Sequence, residues 1–304
     1  MTALSATASR WRGQPGRLEV WYTTVTDAAT GTGLWLHTEL VAPVSGAAAY
    51  LHGWAAVFPP DAAPMWERFG PAPAEEGALP PSELTGSAGN LSWQLRQTDA
   101  GGPPLHTFPR YAWERELLPA AQIVPAPAAT YDGVVQVGQR VLELTAARGA
   151  SARIYGHGNA RRWGWLHADL GGGDVLELVA AVSTRPGLSA LPPLTFLQLR
   201  VDGRDLPRDP LRQAPLLRTR LDLPDWRVRG LLSPRRRISV RVHQDPARSV
   251  AIGYTDPDGA TATCHNSERS DVQVRVEHLG TGGWRVEREW RLDGTAHAEV
   301  GLRP

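Results

Sequence analysis

Two hexapeptides, Trp35-Leu36-His37-Thr38-Glu39-Leu40 and Trp165-Leu166-His167-Ala168-Asp169-Leu170, decide how this sequence is read. They match with a constant offset of 130 positions (165 − 35). A second match, Ala55-Ala56-Val57 with Ala180-Ala181-Val182, follows in the same order. Matching elements in matching order predict two related halves, because chance similarity does not preserve order along the chain.

Alternation of polar and apolar residues dominates the C-terminal part of the chain. The segments 237–243, 271–277 and 284–292 each follow the two-residue period of a strand with one buried face. Asp202-Gly203 and Asp258-Gly259 are dipeptides typical of hairpin turns. Helical periodicity is scarce. Many short strands separated by Gly, Pro and Asp turns predict an all-β sandwich or barrel fold with few helices.

Two proline-rich stretches interrupt the strand pattern. The stretch Pro59–Pro81 is rich in Pro and Ala and predicts a long surface loop or lid. The stretch Pro119–Thr130 carries three prolines and predicts a connector. We therefore expect an N-terminal half over residues 1–128 and a C-terminal half over residues 129–304.

Composition limits the classes of function. The 304 residues are 42% hydrophobic and 21% charged, which is typical of a chain that buries a substantial core. The net charge of +1 predicts no overall attraction to nucleic acid or to an anionic membrane. The sequence contains no Lys, which excludes a Schiff-base or P-loop lysine, and its one cysteine, Cys264, excludes a cysteine zinc site. With no apolar segment typical of a leader or a membrane span, we expect a cytoplasmic location without stable membrane insertion.

The hexapeptides place aromatic, imidazole and carboxyl groups on one face of a strand. Residues i, i+2 and i+4 of a strand share a face, so Trp35, His37 and Glu39 are expected to point the same way. The second copy is expected to place one more indole on this face, which then carries Trp163, Trp165, His167 and Asp169. Because exposed Trp side chains are costly, we expect this face to point inward and line a pocket.

A carboxyl group among indole rings loses hydration, which favours its protonated form near neutral pH. Asp169 or Glu39 is therefore the candidate general acid, with His167 or His37 as its hydrogen-bond partner. The alternative is that both carboxylates only form ion pairs with nearby Arg side chains. Because the second copy has the additional Trp163, it is the favoured site.

Other motifs in the sequence also contain histidine or acidic residues. His157 lies between two glycines and is a candidate substrate-binding residue at a tight backbone approach, or else a solvated loop histidine. A third His-x-acid, His297-Ala298-Glu299, is interpreted as coincidence, and the polar segment after Cys264 as a loop. Metal binding is not favoured, because the Pro-Cys-x-x-Cys that accompanies His-x-Glu in zinc deaminases is absent.

Three short segments resemble a known family. Glu19-Val20-Trp21-Tyr22 resembles the Glu-Trp-Trp-Tyr signature of the carotenoid 1,2-hydratase and AttH-like family. Leu51-His52-Gly53-Trp54-Ala55 resembles the next, His-containing strand of that family, and Trp163-Gly164-Trp165 resembles the strand that opens its second half. The resemblance implies two lipocalin-like (calycin) antiparallel β-barrels in tandem, an architecture shared with tocopherol cyclase-like proteins and lipocalin-like Diels–Alderases. Position 20 departs from the signature, with Val in place of the second Trp.

The resemblance implies action on a long, apolar, unsaturated molecule. We expect a cofactor-independent enzyme, of lyase or isomerase type, that hydrates, cyclises or isomerises an isoprenoid- or polyketide-like substrate. Its substrate-binding residues would be Trp35, Trp163, Trp165, Trp21, Tyr22 and His157, and the indoles would stabilise developing positive charge. The alternative is a non-catalytic carrier of a lipid or isoprenoid, because the same cavity can bind without chemistry. No cofactor, metal or nucleic-acid partner is expected, and the protein is expected to be a monomer or a homodimer.

Overall fold

The computed structural model describes residues 9–75, 84–99, 102–116 and 118–304. In this part of the chain there are eighteen strands, two short α-helices, α1 (Arg110–Glu114) and α2 (Pro210–Gln213), and two 3-10 helices, Ala214–Leu216 and Pro246–Arg248, so the all-β prediction is confirmed. The strands are β1 (Arg17–Asp27), β2 (Thr32–Ala42), β3 (Tyr50–Phe58), β4 (Met65–Pro73), β5 (Thr85–Ala88), β6 (Leu91–Asp99), β7 (Ala120–Val137), β8 (Arg140–Gly156), β9 (Arg162–Gly171), β10 (Asp174–Val182), β11 (Leu194–Val201), β12 (Arg204–Leu206), β13 (Leu217–Leu221), β14 (Asp225–Ser233), β15 (Arg236–His243), β16 (Val250–Thr255), β17 (Thr261–Gly280) and β18 (Gly283–Leu302).

The strands form two antiparallel sheets with closely similar order. The first sheet runs β4-β3-β2-β1-β8-β7-β6-β5, and the second runs β12-β11-β10-β9-β18-β17-β15-β14-β13, with β16 paired to β17. Each sheet curls back on itself. Glu67 of β4 packs against Gly89 in the turn after β5, and the Thr195 hydroxyl of β11 lies 2.6 Å from that of Thr219 in β13. This agrees with the predicted pair of lipocalin-like barrels.

The hexapeptides do not occupy the same place in the two sheets. By position in the strand order, β9 corresponds to β1 and β10 to β2, yet the first hexapeptide lies in β2 and the second in β9. The pairing also differs, because Leu36 stands opposite Ala55 whereas Leu166 stands opposite Leu178. The chain therefore repeats a topology, and the offset of 130 aligns strands that are one position apart in the sheets.

The aliphatic face of each hexapeptide strand packs into its own hydrophobic core. In the first sheet Leu34 and Leu36 join a core that also contains Val57, Trp93 and Tyr131. In the second sheet Leu166 and Ala168 join a core that is more purely aliphatic. Its other members include Leu176, Leu178, Leu197, Leu199, Val228, Val240, Val274 and Val300. Burial of these side chains, about 1.5–3 kcal/mol each, is the main favourable contribution to folding.

Two predictions about irregular segments are wrong. Residues 120–137 form strand β7, so the stretch Pro119–Thr130 is part of the first sheet and is no connector. Prolines are tolerated there because the register of β7 with β8 shifts around Pro125 and Pro127, where no ladder N–H is needed. The stretch Pro59–Pro81 contains strand β4, and its residues 76–81 lie outside the described part.

The chain forms two compact units that divide differently from the predicted halves. Unit 1 comprises residues 1–106, 110–158 and 254–261, and unit 2 comprises residues 107–109, 159–253 and 262–304. The predicted boundary after residue 128 falls inside β7. The glycine run 171–173 forms the β9–β10 hairpin turn, and its positive φ angles of 86°, 63° and 88° explain why glycine suits the turn. Among the described helices, none has the length and hydropathy needed to cross a membrane.

Candidate functional site

Strand β2 carries the first candidate group of side chains in unit 1. Trp35, His37 and Glu39 alternate with the core-facing leucines and share the opposite face, as strand parity predicts. The aromatic face thus lies opposite the leucine face that packs in the barrel core, yet its side chains are only 0%, 5% and 1% exposed. We call this group, together with His52 and Trp54 of β3, the His37 cluster.

Glu39 is the centre of the His37 cluster. Its two carboxylate oxygens lie 3.0 Å from His37 Nε2 and 3.0 Å from His52 Nε2. Burial by itself would raise the pKa of Glu39, but the contacts with the two imidazoles outweigh it and lower the pKa to about 2. Glu39 is therefore ionised at neutral pH, which argues against its predicted use as a general acid.

Aromatic rings enclose His37 on several sides. The indole of Trp54 stacks on the imidazole with ring centroids 4.2 Å apart, and Tyr254 meets it edge-on at 5.7 Å. Burial lowers the pKa of His37, against the opposing effect of Glu39, so the neutral imidazole is favoured at pH 7. Nε2 faces the carboxylate and donates to it, which leaves Nδ1 as a buried acceptor without a hydrogen-bond partner among the described residues.

Strands β9 and β10 carry the corresponding group in unit 2. His167 stands directly opposite Glu177, and its Nδ1 lies 2.9 Å from a Glu177 oxygen. The other oxygen of Glu177 accepts a hydrogen bond of 2.5 Å from the indole Nε1 of Trp165. Because Nδ1 donates to the carboxylate, Nε2 of His167 is left as a buried acceptor, again without a partner among the described residues.

The last strand of the chain completes this group. His297 of β18 stands directly opposite His167, and its Nδ1 lies 2.5 Å from a carboxylate oxygen of Glu268 in β17. Glu299 accepts a hydrogen bond of 2.8 Å from Trp163 Nε1. We call the set the His167 cluster; its members are Trp163, Trp165, His167, Glu177, Glu268, His297 and Glu299.

Glu268 differs from Glu39 in its protonation. Burial raises its pKa well above the ordinary value, and the nearby Glu299 raises it further, because a second negative charge disfavours ionisation. Glu268 thus retains its proton at pH values where an exposed carboxyl group has lost it. A protonated carboxyl group that is 1% exposed and in contact with the imidazole of His297 is a proton donor shielded from water.

The structure brings only part of the predicted site together. Asp169 lies half-buried at the end of β9, where its carboxylate accepts the N–H of Gly171 at 2.8 Å. It caps the hairpin turn and lies outside the His167 cluster, because Val175 and not a polar side chain stands opposite it. This location argues against the predicted role of Asp169 as the buried acid.

The remaining predicted residues lie in different parts of unit 1. Trp21 packs with Trp11 and Leu40 on the core-facing side of the first sheet, whereas Tyr22 lies on the opposite side and stacks on His37 at 6.2 Å. His157 is exposed, with Nδ1 3.1 Å from the carbonyl of Gly16, and it lines a small crevice beside Trp113. His157 is therefore separate from the His37 cluster.

Sequence reasoning missed six members of the two clusters. They are His52, Trp54, Glu177, Glu268, His297 and Glu299. A signal was present for two of them, since His297-Ala298-Glu299 is a third His-x-acid and its strand pairs with the second hexapeptide. Glu268 lies in β17, where a loop was predicted; the strand period is hidden there because residues 266, 267 and 268 are all buried.

Neither cluster has the geometry of a metal centre. Among the described residues, no group of three or more His, Cys, Asp or Glu side chains is arranged to hold a metal ion. The acidic members are instead held by indole and imidazole N–H groups. The arrangement suits proton transfer and recognition of a polar group on an otherwise apolar molecule.

The chain is similar to several known proteins. The family model described as tocopherol cyclase-like matches residues 104–302. The uncharacterised protein Rv0493c of Mycobacterium tuberculosis is 51% identical over 310 residues, covering 98% of this chain and 90% of that protein.

Three solved structures show the same fold at low sequence identity. CghA with Sch210972 has a TM-score of 0.63 at 13% identity, covering 98% of this chain and 96% of its own. Kievitone hydratase of Nectria haematococca has a TM-score of 0.55 at 12% identity, covering 99% and 92%. An AttH-like protein of Nitrosomonas europaea has a TM-score of 0.53 at 14% identity, covering 93% and 92%. The family resemblance deduced from the short motifs is confirmed.

Proposed function

The chain belongs to the tocopherol cyclase-like family, and from that premise we propose that it is a cofactor-independent enzyme of lyase or isomerase type. Its substrate would be a hydrophobic, unsaturated molecule, isoprenoid- or polyketide-like, which it hydrates, cyclises or isomerises. The observation that carries the proposal is the contact of 2.5 Å between Glu268 and His297 in a buried, indole-lined group. Relatives of this fold include a hydratase, which supports chemistry at carbon–carbon double bonds.

The two acid–imidazole pairs of the His167 cluster suit complementary steps. Glu268 holds a proton that can be delivered to an alkene carbon or to a carbonyl oxygen, with His297 keeping the carboxyl group oriented. Glu177 orients His167 so that its bare Nε2 can take a proton from a neighbouring carbon or from an attacking water. Proton delivery to one atom and removal from another accounts for cyclisation or isomerisation, and addition of water accounts for hydration.

Indole rings suit the charge that such steps create. Protonation of a double bond produces a carbocation, which the electron-rich face of an indole stabilises by about 0.5–2 kcal/mol. Trp165 lies 3.9 Å from the His297 ring between centroids, so it borders the imidazole that contacts the proton donor. We assign Trp163 and Trp165 to substrate shaping, in agreement with the sequence-based prediction for these two residues. The His37 cluster, with its ionised Glu39, is assigned to binding of a polar group.

The proposal is tested by proton incorporation. Purified protein is incubated in D2O with geranylgeraniol, squalene and a prenylated hydroquinone, and products are analysed by liquid chromatography and mass spectrometry. We expect a product carrying solvent deuterium, either isomeric with its substrate or increased by one water. Glu268→Gln should reduce the rate at least about 100-fold, because general acid catalysis contributes factors of this size.

Asp169→Asn is the matched control, since it neutralises a carboxyl group of unit 2 outside the cluster. It should keep its rate within about twofold, and both variants should bind 1-anilinonaphthalene-8-sulfonate like the parent protein. Full turnover by Glu268→Gln would overturn the acid assignment. Saturable binding of the panel compounds with complete recovery of unchanged material would favour the alternative, a non-catalytic carrier.

A further inference from the structure

Arginines form a continuous row across the outer face of the second sheet. Directly paired positions on neighbouring strands carry Arg220 of β13, Arg227 of β14, Arg241 of β15, Gln273 of β17 and Arg291 of β18. Their apolar neighbours along each strand, such as Val228 and Val242, point into the core, so these long side chains all point outward. Four of these five paired positions carry Arg, and adjacent strands of a sheet are about 4.8 Å apart.

The next row of the same face repeats the pattern. Arg218, Arg229 and Arg275 lie there, with Ser239 and Glu289 at the other two positions. We call the seven arginines of both rows the arginine band; its members are Arg218, Arg220, Arg227, Arg229, Arg241, Arg275 and Arg291, and every one is exposed. Over ten paired positions the band therefore carries seven positive charges against one negative charge, although the whole chain has a net charge of only +1.

Nearby carboxylates leave most of the band without a counter-charge. Glu289 serves Arg275 and Arg291, each at 3.4 Å. In the adjoining row Asp225 is paired with His243, and Asp271 with Arg248. The other five arginines of the band contact no carboxylate in the described part of the chain, and these are Arg218, Arg220, Arg227, Arg229 and Arg241.

The close approach of the arginines costs stability unless an anion lies over the band. Like charges directly opposite each other on adjacent strands are destabilising, and Arg227 faces Arg220 on one side and Arg241 on the other. A shallow groove of about 520 Å3 separates this row from an acidic row; its lining includes four arginines of the band and the four aspartates Asp222, Asp225, Asp271 and Asp293. A negatively charged partner would offset the repulsion between these guanidinium groups.

We propose that the arginine band docks this protein on the surface of a bilayer that contains anionic phospholipid. Guanidinium groups bind phosphate through paired N–H donors, and exposed leucines at both ends of β13 supply the apolar contact that surface binding also needs. Leu216 precedes the strand and is 46% exposed, and Leu223 follows it and is 39% exposed. No aromatic side chain occupies the ten positions of the two rows, so a stacking platform for single-stranded nucleic acid is absent from the band.

The proposal goes beyond the proposed reaction and does not depend on it. Docking would hold the protein at the phase in which hydrophobic molecules dissolve, whether it converts them or carries them. The band lies on strands β13–β18, and none of its residues belongs to the His37 or His167 clusters. Vesicle binding is measured without any turnover, so its failure would leave the proposed reaction untouched.

Vesicle flotation with the full-length protein tests the proposal. Vesicles of phosphatidylcholine alone are compared with vesicles containing about 30% phosphatidylglycerol, at 50 and 300 mM NaCl. We expect binding to the anionic vesicles at low salt and its loss at high salt, because exposed charges are screened. The double variant Arg227→Gln, Arg241→Gln should bind about 30-fold more weakly, since each arginine near the surface contributes roughly a fivefold factor.

The matched control removes two arginines that already have acidic partners. Arg236 is paired with Glu287 and Arg237 with Glu277, so the double variant Arg236→Gln, Arg237→Gln makes the same change in net charge. It should bind anionic vesicles within about threefold of the parent protein. Equal binding to neutral and anionic vesicles, or an equal loss in both double variants, would overturn the proposal. So would tighter binding of a single-stranded oligonucleotide that excludes the vesicles.

Discussion

The His37 cluster in unit 1 and the His167 cluster in unit 2 hold an imidazole against a carboxylate in different ways. His37 takes its acid from its own strand, two residues on, and an indole stands opposite it. His167 takes its acid from the neighbouring strand, where Glu177 stands opposite. Consequently Nδ1 is the bare nitrogen in unit 1 and Nε2 is the bare nitrogen in unit 2.

The difference in protonation follows from the neighbours of each carboxyl group. Glu39 is approached by two imidazoles, and its pKa falls to about 2 despite burial. Glu268 lies near the charge of Glu299, and burial together with that charge raises its pKa. Equal burial thus gives opposite results, because partner charges decide which protonation state a buried carboxyl group adopts. This is why we place binding in unit 1 and proton donation in unit 2.

Removal of the Glu39 carboxylate is expected to have the largest effect. Glu39→Ala leaves His37 and His52 without their shared partner in a buried site, and this should lower the free energy of unfolding by about 3–5 kcal/mol. Urea unfolding followed by tryptophan fluorescence at pH 7 measures the change. A loss below about 1 kcal/mol would show that Glu39 does not hold the His37 cluster together.

Opposite pH dependences should distinguish the two carboxyl groups. The folded-state pKa of Glu39 is lowered, so its stabilisation is complete above about pH 4.5 and is lost as the pH falls towards 2. The folded-state pKa of Glu268 is raised, so the folded protein keeps a proton that the unfolded chain releases above about pH 4.5. Its contribution to stability therefore falls as the pH rises towards the raised value, by at most about 1.4 kcal/mol per pH unit.

Substitution of each glutamate by glutamine should remove its own contribution to the pH dependence of stability. Glu39→Gln should flatten the stability curve only below pH 4.5, and Glu268→Gln should flatten it only above pH 4.5, because glutamine does not titrate. Urea midpoints at pH 3, 5, 6.5 and 8 measure both. If Glu268→Gln has the same slope as the parent protein between pH 5 and 8, Glu268 does not retain its proton in the folded state.

The hydrogen bond from Trp165 Nε1 to Glu177 should make Trp165 contribute more to stability than an indole that only packs in a core. Trp165→Phe removes the hydrogen bond to Glu177 and should cost about 1.5–3 kcal/mol more than the same change at Trp226. Trp226 is the matched control, because it is 1% exposed in the same unit and its Nε1 has no hydrogen-bond partner among the described residues. Equal costs in thermal unfolding would mean that the Trp165 bond contributes no net stability.

The smallest effect is expected at Asp169, the acidic residue of the second hexapeptide. Asp169→Asn keeps an oxygen that can accept the Gly171 N–H, so the free energy of unfolding should change by less than about 0.5 kcal/mol. Denaturant unfolding at pH 7 checks this value. A loss above about 2 kcal/mol would mean that Asp169 has a buried partner of the kind that holds Glu39.

Local pattern predicted much of the fold and only the centre of each cluster. Strand parity correctly separated Trp35, His37 and Glu39 from the intervening leucines, because side-chain direction alternates whatever the tertiary structure. It could not tell which face would pack in the barrel core, since both faces of β2 are buried. The leucines form that core, and the aromatic face is buried on the other side of the sheet.

The proposed proton donor and its histidine partner lie far from the second hexapeptide in the sequence. Glu268 and His297 are more than 100 residues from His167, and they meet it only because β9 pairs with β18 and β18 with β17. The same holds for the arginine band, whose members are scattered over β13 to β18 and average out in a net charge of +1. Cross-strand register, which depends on every strand between them, is not encoded in any local window.

By itself, then, the sequence determined the all-β class, the family, the alternation of faces and the absence of any lysine chemistry, because these follow from local periodicity and composition. Tertiary structure alone decided that the pKa of Glu39 is lowered and that of Glu268 raised, that Asp169 caps a turn, and that seven arginines share one face. The physical reason is that the pKa of a buried group and the potential of a surface depend on neighbours supplied by strand pairing.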